Sequence, residues 1–164
     1  DHAVKDMEYD TATKMNPPLR SERDRQALLD GLRGGSIDCI ATDHAPHTVD
    51  DKKVEYDQAA FGIVGLETAV ALCLERLVGE GVIDLPRLVG LLSTNPARVL
   101  GLPGGTLAVD APADVTVLDL KRRRKVDPAP FESKARCTPF AGLSLKGWPV
   151  TTIVGGKIVW TDRK

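Results

Sequence analysis

The sequence predicts an α/β chain in two parts, an alternating strand and helix stretch of the parallel kind over residues 1–102 and a β-rich stretch over 103–164. Two observations carry that expectation. Up to Leu102, apolar residues recur with helical period between short buried runs; beyond it, β-branched runs alternate with Gly and Pro. The size agrees, because 164 residues with 42% hydrophobic and 27% charged side chains match one globular unit.

Thr11 to Leu19 reads as a strand that stops at Pro17-Pro18, where two backbone donors are lost. A helix follows: Ser21 and Asp24 form a capping pair, Ala27, Leu28 and Leu32 make an apolar stripe, and Gly34-Gly35 ends it. Ile37 to Thr42 reads as a second, buried strand that runs into the polar segment Asp43-His44-Ala45-Pro46-His47. Val49 to Ala60 is charged and aperiodic, as in a surface loop able to cover a site. Leu66, Ala69, Val70, Cys73, Leu74 and Leu77 then form one face of an amphipathic helix that ends near Gly79 to Gly81. Asp84 caps the next helix, Asn95 caps a short third one that Pro96 opens, and Gly101 closes it. In the second part Thr106–Val109, Asp114–Leu120, Val150–Val154 and Lys157–Thr161 read as strands, the last two joined by a Gly155-Gly156 hairpin turn.

A formal net charge of −1 gives no global attraction to nucleic acid or anionic lipid. No apolar run approaches the ~20 residues of a membrane span, and no secretory leader pattern is present, so the chain reads as cytoplasmic. Cys39, Cys73 and Cys137 are too widely spaced for a zinc knuckle or a disulfide framework and read as small buried residues. The opening Asp1-His2-Ala3-Val4, without an initiator Met, reads as the interior of a longer protein.

Chemistry belongs at the carboxyl ends of the strands of a parallel α/β fold, and both expected strands end in polar clusters. Asp43, at a buried strand end with two His within four residues, suits a metal ligand, a general base or both; a turn cap with exposed histidines is the plain alternative. Asn16 suits a ligand carboxylate or amide, or a turn. Phe61-Gly62-Ile63-Val64-Gly65 offers backbone N–H groups before a helix, or is simply its entry. Lys121 to Lys125 is all basic and reads as a solvated loop.

Taken together, KMNPPLR, IDCIATDHAPH, FGIVGLETA, LLSTNPARVLGL, TPFAG at 138–142 and TIVGGKIVW resemble, in that order, the dihydroorotase family of the amidohydrolase superfamily in its longer bacterial form. Dihydropyrimidinase and allantoinase share the DH and PPxR elements, while the Asn of MNPPLR and the TPFAG segment favour dihydroorotase. The resemblance implies the C-terminal part of a (β/α)8 TIM-type metal-dependent hydrolase barrel over residues 1–102, followed over 103–164 by part of a small β-sandwich domain. It implies reversible hydrolysis of (S)-dihydroorotate to N-carbamoyl-L-aspartate in pyrimidine synthesis, with zinc, commonly binuclear, as cofactor. By the same resemblance Asp43 is the metal-linked acid and base, Asn16 and His47 hold the substrate carboxylate and ring amide, and backbone groups of Phe61 and Gly62 meet the ring. His44 matches a position with no ligand role.

The family's HxH pair and its other metal ligands lie upstream of the residues matching Asp1. The isolated chain is therefore expected to lack zinc affinity and activity. A different cyclic amidohydrolase, and a non-catalytic scaffold for aspartate transcarbamoylase, are the alternatives. The partners implied are the small-molecule substrate, a second copy as a homodimer, and aspartate transcarbamoylase, with no nucleic acid and no membrane.

Overall fold

The computed structural model describes residues 4–162; the chain start, Asp1 to Ala3, lies outside them. The chain divides into two compact units, the first gathering residues up to Asp30, Thr42–Ala69 and Lys125–Ser144, the second Gly31–Ala41, Val70–Arg124 and from Leu145 onward.

Helix α1 (Glu22–Gly34) starts as expected, with Ser21 Oγ accepting the Asp24 N–H while the Asp24 carboxylate accepts the Ser21 N–H and hydroxyl. Its apolar stripe is only partly buried: Leu32 is buried, but Leu28 is 58% exposed. Helix α2 (Val49–Lys52) occupies the start of the expected loop, nucleated by a reciprocal Thr48 and Asp51 capping box. Helix α3 (Leu66–Cys73) runs on through a π-helical turn, Leu74–Val78. Its most buried side chains are Thr68, Ala71 and Leu74 rather than the whole predicted stripe, since Leu66 at its start is solvent-exposed. Helix α4 (Leu85–Val89), capped by Asp84 as expected, continues through a π turn (Gly90–Thr94) into α5 (Asn95–Leu100), and Gly101 in the left-handed region ends it.

Asn95 is helical, not a cap. Its amide instead donates to the Asp38 carbonyl at 2.8 Å. That bond helps explain why Ile37 to Thr42 forms no strand. The Ile40 N–H donates to the Leu91 carbonyl and the Arg87 guanidinium to the Ile37 carbonyl, so backbone polar groups that a parallel ladder would satisfy find helical and side-chain partners. Thr11 to Leu19 also departs from the strand expectation. It begins as a 3-10 turn, Thr11–Thr13, because the Asp10 carboxylate accepts the Ala12 N–H and bends the backbone.

The second part holds a three-stranded sheet in the order β1 (Val115–Lys125), β2 (Ser144–Val154), β3 (Lys157–Thr161). Strands β2 and β3 are antiparallel, with Val154 opposite Lys157 and Thr151 opposite Thr161, around Gly155 and Gly156 at positive φ. Thr106 to Val109, expected as a strand, is irregular.

Lys121 to Lys125 is not a loop but the end of β1. Alternation places Arg122 and Arg124 on one face, where both pair with the Asp162 carboxylate, and Arg124 also stacks over the Trp148 ring at 5.2 Å. Arg123 points the other way, 3.7 Å from Glu75. The second unit's core lies beside this, around Leu74, Leu88, Leu91, Leu145 and Trp148. The three cysteines are free and half-buried. Among the described residues no helix is long and apolar enough to cross a membrane.

The Asp162 side chain is only 7% exposed, so replacing it removes a carboxylate shared by two guanidinium groups. Asp162→Ala is expected to lower stability by about 1–3 kcal/mol, and Asp162→Asn by less because it keeps acceptors. Denaturant unfolding of both variants checks this, and equal losses would contradict it.

Candidate active site

Asn16, Asp43, His47, Phe61 and Gly62 all fall in the first compact unit. Segment 42–47, which carries Asp43 and His47, runs antiparallel to segment 61–65. The Ala45 N–H donates to the Ile63 carbonyl at 2.9 Å, and His47 Nε2 lies 2.7 Å from the Phe61 carbonyl. A carbonyl only accepts, so His47 carries a hydrogen on Nε2.

Glycine makes this approach possible. A Cβ on Gly62 would lie 2.5 Å from Ala45 Cβ, and Gly62 sits at φ +105°, where a side chain is strained. A Cβ on Gly65 would lie 3.1 Å from the Thr42 carbonyl oxygen. The two glycines of FGIVG thus seat the start of the polar segment at Thr42 and its middle at Ala45. They do so at close range.

On the other edge of segment 61–65, the Gly62 N–H donates to the Lys14 carbonyl and the Val64 N–H to the Cys137 carbonyl. Lys14 is 8% exposed; its Nζ donates to the Asp57 carbonyl and sits 4.6 Å from the Phe61 ring centroid. Asn16, two residues on, is exposed. Lys52, 6% exposed, donates to the carbonyls of Ala60 and Gly62, closing segment 49–62 onto the same spine. That segment, mostly exposed, is anchored by two buried lysines. The expectation that Phe61 and Gly62 offer backbone groups to a ligand meets a constraint here, since the Phe61 carbonyl and both Gly62 backbone groups have partners within the chain.

Asp43 is exposed and takes φ +44°. That left-handed conformation costs about 1–2 kcal/mol in an L-residue, though Asp tolerates it better than most. Beside it, His44 Nδ1 accepts the N–H of Gly65 at 3.0 Å and of Leu66 at 3.4 Å. His44 Nε2 faces Ser133 Oγ at 3.4 Å, and Ser133 donates to the Glu67 carboxylate at 2.7 Å. Sequence reasoning missed this chain, and Gly65 at the start of α3 was its signal: a helix start without a capping side chain takes its acceptor from elsewhere.

A cavity of about 260 Å³ opens in this unit, with His47, Thr48, Lys52, Lys53, Arg136 and Cys137 in its wall. Its lining contains no carboxylate among the described residues, which suits an anionic group. Burial pushes the Cys137 thiol up, so it stays protonated and is no nucleophile. As a metal centre the unit is incomplete. Asp43 supplies one carboxylate, but among the described residues no group of three or more His, Cys, Asp or Glu could hold an ion.

The chain is similar to known proteins over nearly its whole length. The family profile described as "Amidohydrolase family" matches residues 8–159. A dihydroorotase of Pelotomaculum thermopropionicum is 57% identical over 155 residues, 94% of this chain and 36% of that protein. One of Halalkalibacterium halodurans is 53% identical over the same shares. The chain thus spans little more than a third of the length of the curated relatives it matches. Among solved structures, the L-hydantoinase (dihydropyrimidinase) of Arthrobacter aurescens superposes with a TM-score of 0.89 at 34% identity, over 96% of this chain and 36% of that one. A D-hydantoinase from Thermus sp. gives 0.85 at 31%, over 94% and 35%.

Burial holds Lys52 below its usual value of 10.5, with the nearby Lys14 charge acting the same way and Cys137 and Asp10 opposing. The unfolded chain therefore binds this proton more tightly than the folded one, and stability rises with pH as Lys52 titrates in the fold, up to 10.5. Lys52→Met should lack that gain. Unfolding measured from neutral to alkaline pH is expected to show wild type improving relative to Lys52→Met; a difference that stays flat or shrinks would contradict it.

Proposed function

We propose that this chain, which belongs to the amidohydrolase family, is part of a dihydroorotase that interconverts (S)-dihydroorotate and N-carbamoyl-L-aspartate in pyrimidine biosynthesis. The observation that carries this reading is the greater identity to dihydroorotases than to the hydantoinases whose folds it shares. In the parent protein, residues 1–102 would contribute to a (β/α)8 barrel and 103–164 to a small β-sandwich domain.

In the hydrolytic direction water adds to the ring amide carbonyl and the ring C–N bond breaks. The Asp43 carboxylate takes the proton from the attacking water and returns it to the leaving nitrogen, so it ends as it began. Its exposed position at the end of the 37–42 segment supports that role. His47 and Asn16 hold the substrate carboxylate and ring amide, and the basic cavity beside His47 supports an anionic substrate. Phe61 and Gly62 set the wall against which the ring lies. The described residues do not by themselves make a zinc site; Asp43 would be one ligand among others that a longer protein supplies.

In the full-length protein Asp43→Asn is expected to lower kcat by about 10²–10⁴. Turnover of dihydroorotate should exceed that of a hydantoin or an uncharged dihydropyrimidine. A preference for either of the latter would replace this reading with that of the hydantoinases, and full activity in Asp43→Asn would remove Asp43 from the mechanism.

A further inference from the structure

We infer that His44 is a positioning residue for Asp43, acting as a capping group for helix α3 supplied from another segment; the inference rests on the functional reading above. The residue at the start of α3 is Gly65, which has no side chain to accept the helix's first N–H groups. His44 Nδ1 does so instead, at 3.0 Å from the Gly65 nitrogen and 3.4 Å from that of Leu66.

An atom that accepts amide hydrogens bears none of its own, so the neutral ring carries its hydrogen on Nε2. That hydrogen faces Ser133 Oγ, whose own hydrogen goes to the Glu67 carboxylate, an acceptor only. The Ser133 N–H also donates to Glu67, at 2.9 Å. Every hydrogen in the chain thus has one direction, and the imidazole is held at both nitrogens.

The consequence falls on Asp43. The residue before it, Thr42, packs against Gly65, and the residue after it, His44, is hydrogen-bonded to Gly65. One glycine therefore grips the chain on both sides of a residue in the left-handed region. Loosening either grip lets Asp43 relax to an ordinary backbone conformation, which swings its carboxylate away from the position that proton transfer requires. His44 itself need not touch substrate or metal.

The test uses the full-length protein, with Asp43→Asn as reference. His44→Ala removes the acceptor, whereas His44→Asn keeps one near the place of Nδ1 but cannot reach Ser133. His44→Ala is expected to lower kcat by about 10- to 100-fold with KM changed less than about twofold. His44→Asn should recover most of that loss, and Ser133→Ala should resemble His44→Asn.

Equal losses in His44→Ala and His44→Asn, a rise in KM in place of a fall in kcat, or unchanged kcat in His44→Ala would each overturn the inference. If Asp43→Asn is inactive and His44→Ala is normal, only this inference fails. If wild type hydrolyses no cyclic amide, or Asp43→Asn is fully active, the functional reading fails and the positioning role with it. Amide exchange at Gly65 and Leu66, expected to quicken in His44→Ala and not in His44→Asn, reads the cap apart from activity, and unchanged exchange in His44→Ala would overturn it.

Discussion

The close antiparallel run of residues 42–47 against 61–65 is the constraint on which the candidate site depends. It works only because Gly62 and Gly65 leave room for Ala45 and Thr42. Once the two segments meet, the Ala45 N–H and the His47 and His44 rings find partners on one spine, and Asp43 is held in a conformation that few residues would take alone. Side-chain volume, rather than any single hydrogen bond, decides where the polar cluster sits.

Around that spine, buried cations do unusual structural work. Lys14 and Lys52 are nearly inaccessible, and their ammonium groups are satisfied by backbone carbonyls of the 57–62 stretch and by an aromatic face. Burial of a charge in this way is unfavourable, as the depressed Lys52 value reflects. The return is order in a segment with little apolar content of its own. In the second unit Asp162 gathers Arg122 and Arg124, which turns a run of like charges into a paired strand edge.

Much of the chain was legible from local patterns. The Ser21 and Asp24 box, the Asp84 cap, the Gly101 terminator and the Gly155-Gly156 hairpin were read correctly because each is a short-range rule, decided within a turn of the residues concerned. Residue clusters at 16, 43–47 and 61–62 were likewise visible, and all fall in one compact unit. Failures were long-range. Ile37 to Thr42 has the composition of a buried strand, yet its backbone bonds go to α4, its π turn and α5. Asn95 looked like a cap and is a tether, and Lys121 to Lys125 looked like a loop and is a strand.

By itself the sequence determined the order of the longer helices, the terminating glycines and the last hairpin, because propensity, capping and turn chemistry act over a few residues. Only the tertiary structure decided that His44 caps a helix 21 residues away, that two lysines are buried, and that Asp162 answers two arginines. Those outcomes depend on which backbone groups and charges meet across long separations. Local pattern carries no record of such meetings.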